Sequence, residues 1–172
     1  GSGAFTSVSA KRNIAVDVAC DANAFLRLAP CTIDEVEQPN GAYVHGHTDG
    51  TISIDLSESN PNEVDGEPLG DGVNAEALSK FHNVFEICNQ GTQPVCVDFA
   101  VNVPVIPNGA DVPDQYDFED GDLAVVFYRG DNPKDPINVD NLNPDRPGAF
   151  SLDVGDCQCV GFEVRAFGFD NE

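Results

Sequence analysis

The chain has 172 residues, with 30 Asp and Glu against 8 Lys and Arg, so its formal net charge at pH 7 is -22. This length suits a single domain, and the charge excludes nucleic acid as the main partner, because phosphates would meet no cationic surface. No apolar run reaches the roughly 18 residues of a membrane span, and 41% hydrophobic residues are too many for a disordered acidic chain.

The first ten residues have the pattern of a β-strand with one small, mostly apolar face. Four residues alternate along that face and a phenylalanine anchors the other face: Ala4, Thr6, Val8 and Ala10, with Phe5. We therefore predict an N-terminal strand extension at residues 1–10 and a β-sandwich domain at residues 11–172. A frayed terminus or an ordinary edge strand fits the same pattern.

The remaining chain is dominated by alternation of apolar and polar residues with a period of two. In chain order, the predicted strands lie at 14–18, 52–56, 85–88, 95–103, 123–128 and 160–164. The run 123–128 is continuously apolar, which predicts burial on both faces. Many short strands separated by Gly and Pro clusters indicate an all-β fold, and we predict a single jelly-roll-like β-sandwich.

Two details complete the predicted fold. One short helix of about two turns is predicted at Asn74–His82, where Ala75, Ala77, Leu78 and Phe81 follow a helical spacing. After Arg165 the apolar residues change parity, which predicts either a bulge or a last strand covered on both faces. Long polar loops rich in Asp, Asn and Pro are expected at 57–72, 106–121 and 130–148.

The six cysteines favour disulfides over reactive thiols. They are Cys20, Cys31, Cys88, Cys96, Cys157 and Cys159. Cys88 and Cys96 flank a hairpin-like connection, and Cys20 and Cys31 bracket a short segment, so each pair could be bridged. Cys157 and Cys159 lie on one face of a strand, and each could take another partner, so the pairing stays open.

A zinc site is the rival interpretation of the last two cysteines. It would combine Cys157-x-Cys159 with His45-x-His47. The separated C-x-x-C pairs that are typical of structural zinc sites are missing, which favours the disulfides.

The kind of acidity points to a halophilic source. The chain has 20 Asp, 10 Glu and only 3 Lys, spread along its length. Short carboxylates stay hydrated in concentrated salt, and that salt screens their mutual repulsion. The chain also lacks Met, so we expect that a leader peptide has been removed and that the protein is secreted or lies at the cell surface.

No enzyme motif is present, and we predict no catalytic residues and no required cofactor. H-E-x-x-H, G-x-S-x-G, the P-loop and G-x-G-x-x-G are all absent from the sequence. Ca²⁺ is a candidate ligand, because four carboxylates cluster in one loop: Asp117, Glu119, Asp120 and Asp122. Their spacing differs from that of an EF-hand, and solvated halophilic loops are the favoured explanation.

Three segments together resemble a family of secreted haloarchaeal proteins of unassigned function. They are the Gly-Ala-Phe-Thr-Ser start with the strand that follows it, residues 72–95, and Leu-Asp-Val-Gly-Asp at 152–156 with the strand after it. More distantly, Phe-Glu-Ile-Cys-Asn-Gln-Gly at 85–91 and the turn at 152–156 are similar to motifs of camelysin and TasA fibre subunits and of archaeal pilus subunits. That resemblance implies a jelly-roll domain that polymerises when its N-terminal strand completes the sheet of the next subunit.

The leading hypothesis is therefore a structural one. We expect the subunit of an extracellular filament or pilus of a halophilic archaeon, with copies of itself as partners in a head-to-tail homopolymer joined through residues 1–10. The alternative is a monomeric secreted or cell-surface binding module whose acidic loops bind a ligand or Ca²⁺.

Overall fold

The computed structural model describes residues 13–18, 25–45, 52–56, 63–64, 67–68, 76–97, 99–101, 103–137 and 150–169. The strands in this part of the chain are β1 (Asn13–Val18), β2 (Leu26–Pro30), β3 (Thr32–Ile33), β4 (Val36–Glu37), β5 (Val44–His45), β6 (Ile52–Asp55), β7 (Glu63–Val64), β8 (Glu67–Pro68), β9 (Leu78–Asn89), β10 (Val95–Val97), β11 (Phe99–Val101), β12 (Val125–Arg129), β13 (Phe150–Leu152) and β14 (Cys157–Arg165). A short 3₁₀ helix spans Pro39–Tyr43.

Two four-stranded antiparallel sheets organise these strands. One has the order β12-β14-β9-β2 and the other has the order β11-β1-β6-β5. Three two-stranded pairings accompany them, namely β10 with β13, β3 with β4, and β7 with β8. The predicted all-β class is confirmed, and the sheets are arranged as in a sandwich, while the jelly-roll strand order remains a prediction.

One hydrophobic core receives side chains from both large sheets. Ile52 and Ile54 of β6 belong to the same buried cluster as Phe85, Ile87 and Phe162 of the other sheet. Alternation explains this directly, because every second residue of each strand points to the same face. The predicted burial of both faces at 123–128 is confirmed for residues 124–128, all of which are buried.

The predicted helix at Asn74–His82 is wrong. Within the described residues, the chain is already a strand from Leu78 onward. Leu78 pairs with Arg165 and Phe81 pairs with Phe162. Pairing with a distant strand therefore overrides the helical spacing of the local apolar residues. Among the described residues, no helix is long and apolar enough to cross a membrane.

Two strand predictions near the sheet edges also need correction. The single strand predicted at 95–103 is two elements with different partners, because β10 pairs with β13 and β11 pairs with β1. At the C-terminus, β14 ends at Arg165, and Gly168 has a φ of 78°. Phe167 and Phe169 are both buried because the chain turns there, so neither a bulge nor a covered last strand causes the change of parity.

A bulge does interrupt the pairing of β9 with β14 further along. Val160 lies opposite Phe85 and Phe162 lies opposite Phe81, so three residues of β9 face Gly161 alone. Asn83, in the middle of the bulge, has a φ of 51°, a left-handed conformation that asparagine tolerates. Its amide donates to the carbonyl of Gly130 at 3.1 Å. The bulge thus keeps β9 hydrogen-bonded while it bends.

Candidate functional site

Two disulfides lie side by side on the outer face of the sheet β12-β14-β9-β2. Cys31 is bonded to Cys159 and Cys88 is bonded to Cys157. In the β9–β14 register, Cys157 faces Cys88 and Cys159 faces Glu86. Side chains two residues apart on a strand share a face. Both bridges and Glu86 therefore occupy the face opposite to the core.

The disulfide partners differ from those that the hairpin spacing indicated. The pairing of Cys88 with Cys96 is wrong, because β9 lies beside β14 whereas β10 pairs with β13. The pairing of Cys20 with Cys31 is also wrong, since Cys31 is bonded to Cys159. Cys96 has no disulfide partner among the described cysteines, and Cys20 lies outside the described residues.

Glu86 is a buried carboxylate beneath these bridges, with only 2% of its surface exposed. Its Oε1 accepts hydrogen bonds from the amide of Thr32 at 2.8 Å and from the Thr32 hydroxyl at 2.7 Å. Its Oε2 lies 3.1 Å from a guanidinium nitrogen of Arg27, which is 43% exposed. These three donors and one positive charge offset much of the cost of burying the carboxylate.

The turn after β2 covers the Glu86 carboxylate. Cys31 directly follows β2, and its amide donates to the carbonyl of Val84. The next residue, Thr32, reaches Glu86 through both its amide and its hydroxyl. The Cys31–Cys159 bridge therefore fixes the turn over the carboxylate and keeps water from it.

The sulfur of Cys88 touches the same carboxylate. Cys88 Sγ lies 2.7 Å from Glu86 Oε2 and 3.3 Å from a guanidinium nitrogen of Arg27. Because Cys88 is bonded to Cys157, its sulfur carries no hydrogen to share with the carboxylate. The contact is thus one between two lone-pair acceptors, next to a single cation.

A metal ion would need thiolates at this position. Glu86, Cys88 and Cys157 are the only three potential ligands within 4.8 Å of one another among the described residues. In the disulfide state neither sulfur is a thiolate, and Arg27 already pairs with the carboxylate. The alternative zinc site with His45 does not form, since Cys157 and Cys159 are both bonded elsewhere and His45 lies on β5.

The carboxylates considered for Ca²⁺ lie in the exposed loop that precedes β12. Asp120 accepts a hydrogen bond from the amide of Gly109 at 2.8 Å, and Asp122 accepts one from the amide of Glu119 at 2.9 Å. The fourth candidate, Asp117, is also exposed. The structure does not bring three of these four carboxylates within 4.8 Å of one another. Two of them instead stabilise the loop backbone.

The scarce cations of this acidic chain serve structural contacts. Each of the three described arginines pairs with a carboxylate: Arg27 with Glu86, Arg129 with Asp135, and Arg165 with Glu163. The guanidinium of Arg165 also lies 4.1 Å from the ring centre of Phe118, and that of Arg129 lies 5.1 Å from the ring centre of Phe150.

A second polar contact lies at the bulge of β9. The hydroxyl of Tyr128 and Nδ1 of His82 are 2.8 Å apart. Burial raises the pKa of Tyr128 strongly, and the negative charges of Glu163 and Asp131 raise it further. Burial also raises the pKa of Tyr43.

These two tyrosines make the fold sensitive to alkali. Between about pH 10 and the raised folded pKa values, the unfolded chain loses phenol protons that the folded chain keeps. We expect the free energy of unfolding to be unaffected below that range and to fall as the pH rises through it, by at most about 1.4 kcal/mol per pH unit for each tyrosine. Denaturant unfolding at about pH 9 and about pH 11 measures the loss. Tyr128→Phe should reduce the slope, and a slope unchanged in that variant would contradict the assignment.

The predicted donor-strand residues lie outside the described part of the chain. They are Ala4, Phe5, Thr6, Val8 and Ala10. The strand that follows them is described, and it is internal to its sheet. β1 pairs with β6 from Asn13 opposite Asp55 to Val16 opposite Ile52, and with β11 from Val16 to Val18.

Comparison with known proteins places the chain in a family. Residues 32–166 match the family described as Protein of unknown function (DUF1102). The chain belongs to this family. The match spans the segment from the turn over Glu86 to the end of β14, so both disulfides of the DUF1102 chain lie within it or at its edge. No curated protein and no solved structure matches, so the resemblance to camelysin, TasA and pilus subunits remains a hypothesis.

The sequence indicated the cysteines of the site but not its carboxylate. Glu86 alternates with Phe85 and Ile87, as a solvated residue on the outer face would. Its burial depends on Thr32 and Arg27, which are more than fifty residues away in the chain. The available signal was the shared parity of Glu86 and Cys88 on one strand.

Proposed function

We propose that the chain is a non-catalytic, disulfide-stabilised subunit of an extracellular filament that assembles through its N-terminal segment. The observation that carries this proposal is the position of β1. It is an internal strand, hydrogen-bonded to β6 on one side and to β11 on the other. A segment continuous with such a strand is anchored to the domain by two ladders of hydrogen bonds, which resist pulling along the strand.

The chemistry of the described residues supports a structural role. The buried carboxylate Glu86 is fully engaged by Thr32 and Arg27, and the neighbouring sulfurs form two bridges. Such an arrangement stabilises a fold rather than activating a nucleophile. The resemblance of the 85–91 and 152–156 motifs to fibre subunits points in the same direction, as does the alternating pattern of residues 1–10.

Assembly through residues 1–10 is tested by electron microscopy of the full chain in multimolar salt. We expect regular filaments from the full chain and dispersed particles from a variant without residues 1–10. The shortened variant should keep its circular dichroism spectrum, because its sheets and disulfides are retained. Dispersed full-length particles at every concentration would overturn the proposal, as would filaments that persist without residues 1–10.

Two point variants show whether filaments depend on which face of the strand enters the neighbour or only on the added negative charge. Val8→Asp places a carboxylate on the face that we predict enters a neighbour, and Ser9→Asp places the same charge on the opposite face. Only Val8→Asp should abolish filaments, because a buried unpaired carboxylate in a groove is strongly unfavourable. Equal effects of the two variants would contradict a donor strand with this register.

A further inference from the structure

The two disulfides on the outer face differ in the solvent exposure of their cysteine residues. Cys157 is exposed, whereas its partner Cys88 is only 3% exposed. In the other bridge, Cys31 is fully buried and Cys159 is partly buried. Thiol–disulfide exchange requires a thiolate to reach one of the bonded sulfurs. Cys157 is the sulfur that an incoming thiolate reaches most easily.

The buried sulfur of this bridge, Cys88 Sγ, lies next to charged groups that affect how readily it leaves when the disulfide is attacked. Cys88 Sγ lies 3.3 Å from a guanidinium nitrogen of Arg27 and 2.7 Å from Glu86 Oε2. We propose that the Cys88–Cys157 disulfide is a thiol-exchange site, attacked at Cys157 by a small-molecule thiol or dithiol, with Cys88 as the leaving sulfur beside Arg27 and Glu86.

The exchange conserves atoms and electrons. The thiolate of the reductant attacks Cys157 Sγ, a new S–S bond forms, and the Cys88–Cys157 bond breaks with its electron pair on Cys88 Sγ. The Arg27 guanidinium offsets the repulsion between that thiolate and the Glu86 carboxylate, and the thiolate then takes a proton from water. With a dithiol, its second thiolate attacks the sulfur already bound to Cys157 and releases Cys157 as a thiolate, which takes a proton from water. The disulfide is then reduced by two electrons and the dithiol is oxidised by two.

Glu86 favours the opened state of this bridge over the closed one. In the disulfide, the sulfur and the carboxylate meet at 2.7 Å with no hydrogen between them. Once Cys88 is a thiol, its S–H can donate to Glu86 Oε2 at the same place. In the Cys31–Cys159 bridge, Cys159 Sγ meets a neutral acceptor at a longer distance, the Thr32 carbonyl oxygen at 3.7 Å. The two bridges should therefore differ in their resistance to reduction.

The order of reduction tests the proposal on the unaltered full chain. Free thiols are first alkylated, the folded protein is titrated with dithiothreitol in multimolar salt, and newly formed thiols are labelled with a second alkylating reagent. Mass spectrometry then reports each cysteine. We expect Cys88 and Cys157 to become labelled together at about a tenfold lower dithiothreitol concentration than Cys31 and Cys159. Simultaneous opening of both bridges, or earlier opening of Cys31–Cys159, would overturn the proposal.

The point of attack is tested with a monothiol. Glutathione followed by an acid quench traps the mixed disulfide, and fragment ions locate it. We expect the adduct on Cys157, with the thiol on Cys88. An adduct on Cys88 or on Cys159 would overturn the assignment of Cys157 as the attacked sulfur.

Glu86→Gln tests the part played by the carboxylate, with Glu163→Gln as its matched control. Glu163 is also buried on this sheet and pairs with Arg165, but it is placed opposite Lys80 instead of a cysteine. The amide of a glutamine at 86 can donate to the disulfide sulfur, so the tenfold gap should narrow to about threefold or less. Glu163→Gln should leave the gap unchanged, and equal narrowing in both variants would overturn the role of Glu86. Should Glu86→Gln fail to fold, the order and the adduct position in the unaltered chain still decide the proposal.

Discussion

Replacing Cys31 and Cys159 together with alanine should lower the free energy of unfolding by about 5 kcal/mol. The bridge joins residues 128 apart in sequence, so it restricts the unfolded chain far more than a local bridge would. It also holds the turn through which Thr32 donates two hydrogen bonds to Glu86. Denaturant unfolding of the oxidised protein, followed by circular dichroism at constant salt, measures the difference.

Cys96→Ala is the matched control for this double variant. Cys96 is partly buried and forms no disulfide with another described cysteine, so its replacement removes a sulfur while both observed bridges stay closed. We expect a change within about 1 kcal/mol for the control. If the double variant were as stable as Cys96→Ala, the Cys31–Cys159 bridge would contribute nothing to the stability of the fold.

Strands with an uninterrupted alternation were predictable from the sequence because burial imposes it. Ile52 and Ile54 are buried and Ser53 is not, as the period of two requires. The same rule correctly put Cys157 and Cys159 on one face. It carries no information about which strand lies alongside, so it could not show that residues 95–103 divide between two partners.

The helix at Asn74–His82 failed for a related reason. Helical spacing of Ala75, Ala77, Leu78 and Phe81 is a local signal, whereas the conformation of Leu78–Phe81 is set by pairing with β14. This ladder of hydrogen bonds and the burial of Phe81 outweigh a few tenths of a kcal/mol per residue in intrinsic propensity.

The cysteines of the candidate site could be predicted from the sequence, but the role of Glu86 and the disulfide partners could not. In a chain with 30 acidic residues, one more glutamate on an outward face looks solvated. Only the folded chain brings Thr32 and Arg27 onto Glu86 and places Cys88 against it. Disulfide partners also depend on which strands are neighbours, and that adjacency is a property of the whole sheet rather than of any local segment.

Gly161→Ala should be strongly destabilising, lowering the free energy of unfolding by at least about 3 kcal/mol. A Cβ at this position would lie 2.6 Å from the Phe81 carbonyl oxygen, 2.7 Å from the Gly130 carbonyl oxygen and 2.7 Å from Cε2 of Tyr128. Two of these three atoms belong to backbone that is hydrogen-bonded across the bulge, so they cannot move aside without breaking the pairing of β9 with β14. Thermal and denaturant unfolding measure the loss, and a large fraction of insoluble protein would be the same result in a stronger form.

Gly155→Ala is the control that separates the steric clash of the added Cβ from the backbone cost of replacing a glycine. Gly155 has a φ of 82°, and a Cβ there would meet nothing within 4 Å. Its replacement costs only the backbone strain of a left-handed alanine, about 1 kcal/mol. If Gly161→Ala were no worse than Gly155→Ala, the close approach of β9, β12 and β14 at the bulge would have to be looser than the structure places it. Adding Tyr128→Ala to Gly161→Ala removes only the contact with the tyrosine ring and leaves both backbone oxygens in place. The double variant should therefore not regain the stability lost in Gly161→Ala.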